Sequence, residues 1–190
     1  ATNDQWLFSA YYGGTPSLTG EGRLFPVQEK YLEDIVFDTR YKPSGVTQPL
    51  GEATSPVDRS QVLTEWCGRY QDYGLIPHLL QHLFSQTWKG GVVLVFLSGA
   101  AEIKSVARLI DEAFAGSSLG VEVIVCHGSL STAEQKRVFE RPADGPRRVV
   151  LSTNIAETSL TIPDCTVVID TGREKRVLFN PNSNITEMKE

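Results

Sequence analysis

The chain has 190 residues, of which 41% are hydrophobic and 22% charged, with a formal net charge of -5. That is enough for one generous domain with a buried core, and no apolar run approaches the roughly 18 residues that span a bilayer. The acidic balance argues against a protein that coats nucleic acid by bulk attraction, while leaving room for a local basic strip.

The opening ATNDQWLF lacks the basic segment and apolar core of a signal peptide. Cys67, Cys126 and Cys165 are too widely spaced for a zinc pattern or a disulfide framework, so buried thiols in a reducing, intracellular setting are expected. In the first segment Trp6, Phe8, Tyr11 and Tyr12 precede Gly13-Gly14. Such aromatic density calls for a partner surface, either on this domain or on a neighbouring one.

Arg23 to Glu33 alternates around Phe25, Val27, Tyr31 and Leu32 and predicts a strand, with Pro26 placing it at an edge or bulge. Tyr41 to Ser60 is rich in Pro, Gly, Ser and Thr and reads as a mobile insertion. Val62, Leu63, Trp66, Tyr70 and Tyr73 have helical spacing. Ile76, Leu79, Leu80, Leu83 and Phe84 continue it beyond Gly74 and Pro77, as two helices or one broken helix. His78 and His82 stand four apart on it, but no glutamate follows His78, so the metalloprotease pattern is absent and no metal site is assigned.

Val92 to Leu97 is a continuous apolar run of the kind that expects cover on both faces, as in a parallel sheet. Ile103, Val106, Ala107, Leu109, Ile110, Ala113 and Phe114 form a helical stripe after it, and Val121 to Val125 gives the next strand. Ser131 and Glu134 make a capping box for a helix through Val138 and Phe139. Val149 to Leu151 and Thr166 to Ile169 are two further strands, with one helical turn at Ile155 to Ser159 between them. That turn serves either as an anion-binding helix start or as a plain capped crossover. Arg173 to Asn180 predicts one more strand, half of a hairpin, and the tail NSNITEMKE shows no anchor. Basic residues concentrate at Lys136, Arg137, Arg141, Arg147 and Arg148, and again at Arg173, Lys175 and Arg176, with solvated surface as their ordinary use.

Three polar loops follow three of these strands: Ser98-Gly99-Ala100, His127-Gly128-Ser129 and Ser152-Thr153-Asn154. In a parallel sheet all three fall on the carboxyl edge, where open α/β folds bind ligands. A line of small donors and exposed amides suits an extended phosphate backbone better than a compact substrate. No G-x-S-x-G elbow accompanies His127 and Ser129, and no G-x-x-x-x-G-K-[ST] loop occurs to cradle nucleotide phosphates.

STNIAETSLTI (Ser152–Ile162) resembles motif V of the DEAH-box helicases of superfamily 2. Further stretches match in family order: GRLFPV and YLEDI near the start, LVFLSGAAEI as motif IV, HGSLSTAEQKRVFE, VVIDTG and VLFNP. The chain is thereby identified as a member of that family and as its second RecA-like domain. The implied fold is α/β, a RecA-like parallel sheet covered by helices on both faces, with an N-terminal arm and a C-terminal hairpin start. The implied divisions are 1–22, the end of the first RecA-like domain or an interdomain arm; 23–180, the second RecA-like domain with its insertion at 41–60; and 181–190, a truncated lead toward the arginine-finger motif.

The family's roles fall on matching positions. Ser98, Gly99, His127, Gly128, Ser129, Thr153 and Asn154 would lie along the backbone of single-stranded RNA. Phe139 would stack on adenine, and Ser159, Thr161 and Asp164 would face the nucleotide. ATP and Mg2+ would be held mainly by a first RecA-like domain, which with C-terminal accessory domains and an activator protein completes the partner set. No catalytic residue is assigned to this chain. Many members carry Asp-Gly where this sequence has Pro163-Asp164, which places the ribose-binding carboxylate one position late. A non-enzymatic RNA- or protein-binding module and a DNA-directed helicase are the competing readings.

Overall fold

The computed structural model describes residues 5–16, 25–42, 72–86, 90–126, 147–154, 162–180 and 185–189. The chain divides into two compact units, Ala1–Tyr31 and Leu32–Glu190.

In the first unit, α1 (Gln5–Tyr11) ends in two glycines with positive φ, Gly13 and Gly14. Gly14 N donates to Ser9 O and Gly13 N to Ala10 O, the Schellman pattern that satisfies a helix's last carbonyls. Trp6 and Tyr11 are more than four-fifths exposed, and Tyr11 meets Tyr12 edge to face at 5.1 Å. Residues 25–31 take no regular structure, contrary to the strand expected over Arg23–Glu33. Pro26 removes a ladder donor, and Phe25, Val27 and Tyr31 stay exposed, so alternation alone supplied no buried face.

The second unit begins with α2 (Leu32–Thr39), whose first turn carries Glu33 and Asp34, favourable at a helix N-terminus. It too ends in a Schellman pattern: Tyr41 N donates to Val36 O and Arg40 N to Phe37 O, while Tyr41 packs on Val36. Arg40 thus occupies the left-handed position at φ 53 that glycine usually fills. α3 (Leu75–Gln86) follows Gly74 and accepts Pro77 in its first turn, where the missing amide hydrogen is no loss.

Strands β1 (Val92–Phe96), β2 (Val121–Cys126), β3 (Arg147–Ser152) and β4 (Cys165–Asp170) form one parallel sheet in the order β2-β3-β1-β4. α4 (Ala100–Phe114) connects β1 to β2. One face of the sheet presents Val93, Val95, Val149 and Leu151 to α3 and α4, where Leu80, Ile103, Val106 and Ile110 are almost wholly buried. Each such side chain contributes about 1.5–3 kcal/mol of burial. The other face buries Val92, Leu94, Ile124, Cys126, Val150 and Ile162. Burial on both faces explains why β1 and β3 read as unbroken apolar runs.

Arg147 and Arg148 lie inside this sheet, not on a solvated basic strip. Arg148 is 8% exposed and directs both Nε and Nη2 at Glu122 Oε2, at 3.0 and 2.9 Å, across the β2–β3 pair. The guanidinium of Arg147 stacks over the Phe84 ring at 5.6 Å. A further difference concerns the C-terminal segment: β5 (Arg176–Asn180) pairs antiparallel with β6 (Ile185–Lys189). The tail expected to lack an anchor is therefore the second arm of the hairpin.

Candidate nucleic-acid interface

The register of the sheet aligns the strand ends. Cys126 is opposite Ser152, Ser152 opposite Phe96, and Phe96 opposite Asp170, so all four strands stop on one line. At ~4.8 Å between neighbouring strands this rim runs roughly 14 Å from β2 to β4.

Two of the polar turns are described, and both leave this rim. Ser152 is fully buried, its hydroxyl 2.9 Å from both Cys126 O and Thr153 O, either of which can take its single proton. The outward residues are the next two: Thr153 is half-buried and Asn154 exposed, with Asn154 Nδ2 3.5 Å from Glu174 Oε2. Beside them, Leu97 N donates to Ser152 O at 2.8 Å and carries the ladder one step past β1. Ser98 follows, 7% exposed, with its hydroxyl buried and without a hydrogen-bond partner among the described residues.

Gly99 is the N-cap of α4 with extended backbone, φ -173, which any residue can adopt. Its lack of a side chain is a matter of space: a Cβ there would come 2.8 Å from Glu102 Oε2 and 3.1 Å from Lys175 Nζ. Those two side chains make an ion pair of 2.6 Å between α4 and the segment that follows β4. The hydrogen bond from Lys175, with a smaller contribution from the backbone amide of Glu102 itself, holds the Glu102 carboxyl below the usual range against the opposing effect of burial. Neither residue was singled out from the sequence, where Lys175 read as one of a basic patch. A glutamate in the first turn of a helix was the available signal for Glu102.

Burial raises the Cys126 thiol above its ordinary value despite the Ser152 hydroxyl, and raises Cys165 likewise. Cys126 is the buried small apolar group expected of it, and Cys165 packs half-buried against the same core. His78 Nε2 lies 2.9 Å from Thr39 O, and since a carbonyl only accepts, that nitrogen carries the proton. His78 and His82 line a cavity of about 400 Å³ together with Phe114 and Leu119. Among the described residues no three His, Cys, Asp or Glu side chains are grouped to hold a metal.

Asp164 lies at the opposite edge of the sheet. It precedes β4 in a turn with φ 57, and its carbonyl accepts from Val92 N at 2.8 Å at the start of β1. Six steps along the chain to Asp170, at ~3.3 Å each, put it roughly 20 Å from the rim. Ser98, Gly99, Thr153 and Asn154 are thus brought together, and Asp164 is apart from them. His127, Gly128, Ser129, Phe139, Ser159 and Thr161 lie outside the described residues, as do the expected helix after Ser131 and the turn at Ile155–Ser159. Cys126, the residue before His127, ends β2 on the rim.

Residues 75–188 match the family described as the helicase conserved C-terminal domain. The chain belongs to that family. It is a second RecA-like domain related to the DEAH/DExH-box helicases. Over its whole length it is 33% identical to a putative DEAH-box ATP-dependent helicase of Mycosarcoma maydis and to the chloroplastic DExH-box ATP-dependent RNA helicase DExH4 of Arabidopsis thaliana. It spans only 14% and 16% of those two proteins. Among solved structures, the DExH-box NTPase HrpB of E. coli superposes with a TM-score of 0.54 and 30% identity, over 64% of this chain and 14% of that one. The RecA-like α/β fold expected from the motifs is the fold observed, a parallel sheet flanked by helices.

Proposed function

We propose that this helicase-family domain is the second motor domain of an ATP-dependent RNA helicase, gripping the backbone of single-stranded RNA and closing on ATP together with a first RecA-like domain. The observation that supports this reading is the rim itself, where Thr153 and Asn154 turn outward beside the Ser98-Gly99 turn at the start of α4. Thr153 and Asn154 offer donors to phosphate oxygens, and the Ser98-Gly99 turn offers the first-turn amides of a 15-residue helix. Ser98 and Ser152 point their hydroxyls inward, so their contribution is to shape the turns. His127, Gly128 and Ser129, which follow Cys126 in the sequence, are taken as further contacts to the same backbone.

Nucleotide falls to the other edge. Asp164, exposed in its turn, can accept a ribose hydroxyl but would repel phosphates. Phosphates and Mg2+ belong to the first domain in this reading, with Phe139 as the adenine platform and Ser159 and Thr161 as further nucleotide contacts. A closed cleft held from two sides is what phosphoryl transfer needs, so this domain alone hydrolyses nothing.

The test is RNA binding by the full-length protein carrying Thr153→Ala. Affinity for a single-stranded RNA falls several-fold and the salt dependence of binding is retained, since backbone contacts elsewhere persist. Unchanged affinity across a salt series removes Thr153 from the interface. Equal binding of a DNA of the same sequence favours the DNA-directed reading.

A further inference from the structure

The five residues between β4 and β5, Thr171 to Lys175, lie along the rim and are fastened to it. The Thr171 hydroxyl donates to Phe96 O at 2.9 Å, at the end of β1. Glu174 meets Asn154 after β3, with Nδ2 and Oε2 3.5 Å apart, and Lys175 pairs with Glu102 in the first turn of α4. Because β1 lies between β4 and β3, this link passes from β4 over β1 to the turn that presents Thr153 and Asn154.

Glu102, Asp170 and Glu174 thereby bring carboxylates to a rim proposed to hold a polyanion, and their surroundings set them apart. Glu102 is neutralised by Lys175 at 2.6 Å. Asp170 folds back on its own turn, where Oδ1 accepts from Gly172 N at 2.8 Å. Glu174 is half-buried and faces the outward turn, beside the side-chain amide of Asn154. At 3.5 Å their contact is at the long limit of a hydrogen bond, and it saturates neither group. The amide nitrogen carries a second hydrogen for a phosphate oxygen, and a carboxylate has about four lone-pair sites.

A sugar-phosphate backbone consists of acceptors: its phosphate, ester and ring oxygens offer no hydrogen, and a carboxylate placed among them is repelled. The one donor on that backbone is the ribose 2′-hydroxyl, which DNA lacks. An acceptor fixed beside a phosphate-binding donor therefore favours one backbone and penalises the other. We propose that Glu174 is a specificity-determining residue: with Asn154 turned to a phosphate oxygen, the Glu174 carboxylate accepts a hydrogen bond from the 2′-hydroxyl of the same strand. This rests on the function proposed above, because it takes the rim to be the grip. Thr153 and the first amides of α4 hold either backbone, and Glu174 tells them apart. Thr171 and Lys175, tied to Phe96 and Glu102 on either side of it, fix its position on the rim.

The experiment uses the full-length protein, as wild type and with Glu174→Ala or Glu174→Gln. Each is titrated with a single-stranded RNA, the DNA of the same sequence, and the 2′-O-methylated RNA, which keeps every 2′ oxygen and loses every 2′ donor. Wild type is expected to bind the RNA roughly tenfold more tightly than either other strand, the worth of one hydrogen bond to a charged group. In Glu174→Ala the RNA weakens about fivefold while the DNA holds or tightens about twofold, so the preference nearly vanishes. Glu174→Gln keeps an acceptor without the charge and falls between. Affinities for RNA and DNA that shift by the same factor in Glu174→Ala mark a plain surface charge and overturn the proposal. So does a wild type that binds all three strands equally, or a preference lost as fully in Thr153→Ala, which should weaken RNA and DNA alike. A wild type that binds none of the strands overturns instead the reading of the rim as a grip.

Discussion

The hydroxyl of Ser152 stands 2.9 Å from the carbonyl oxygen of Cys126 and so ties the last residue of β3 to the last residue of β2. The bond is buried and lies directly beneath Thr153, which makes Ser152 the support of the outward turn. Ser152→Ala is expected to cost about 1 kcal/mol, the usual net worth of one buried hydrogen bond, read as a lower urea midpoint with unchanged slope. RNA binding should weaken only slightly, in contrast to Thr153→Ala.

Two glycines at opposite ends of β1 should respond differently to alanine. Gly91 has φ 104, and a Cβ there would lie 2.6 Å from the backbone oxygen of Asp164 as well as from Thr166. Neither the conformation nor the backbone neighbour can yield cheaply, so Gly91→Ala is expected to cost about 3 kcal/mol. Gly99→Ala meets only the ends of two flexible side chains in a relaxed backbone, and about 1 kcal/mol or less is expected. Thermal unfolding of the two variants side by side checks the order.

The four parallel strands and α4 were legible because each is a run whose burial is decided locally: VVLVF and VVL are apolar on both faces, and the stripe from Ile103 to Phe114 repeats at helical spacing. The carboxyl-edge loops followed from topology once those strands were parallel. What could not be read was decided by tertiary partners. Arg148 is inside the sheet because Glu122 stands opposite it. Ile185 to Lys189 is a strand because β5 lies alongside, although the segment is mostly polar. At Leu32 to Thr39 the alternation of the preceding residues misled, and the acidic first turn of α2 was the overlooked signal. Ser98 and Ser152 looked like surface donors; only the packing of the strand ends shows that their hydroxyls turn inward.

Arg40 and Asp164 are the two described non-glycine residues with positive φ, 53 and 57. A side chain in the left-handed region costs roughly 1 kcal/mol relative to glycine. Arg40→Gly is therefore expected to raise the melting temperature by a few degrees, with the Tyr41–Val36 contact of the helix end retained. Asp164→Gly relieves the same backbone conformation and removes the carboxylate proposed to meet the ribose. In the full-length protein it is expected to raise KM for ATP several-fold, and an unchanged KM would withdraw Asp164 from the nucleotide site.

The Glu102–Lys175 pair also predicts how stability depends on pH. The Glu102 carboxyl is held below its ordinary value of 4.5 in the folded protein, chiefly by the hydrogen bond from Lys175. A depressed carboxyl stabilises the fold fully above the unfolded value and loses that contribution as pH falls through the folded one. Partial exposure of the lysine limits the pair to about 1 kcal/mol. In Lys175→Met the opposing effect of burial is left to dominate, so the carboxyl moves up and takes its proton at higher pH. Urea unfolding of wild type and variant should therefore differ by about 1 kcal/mol at pH 7 and converge only once pH has fallen below the wild-type folded value, where both carry a neutral Glu102. A difference that stayed constant down to acid pH would mean that the lysine acts through packing and not through its charge.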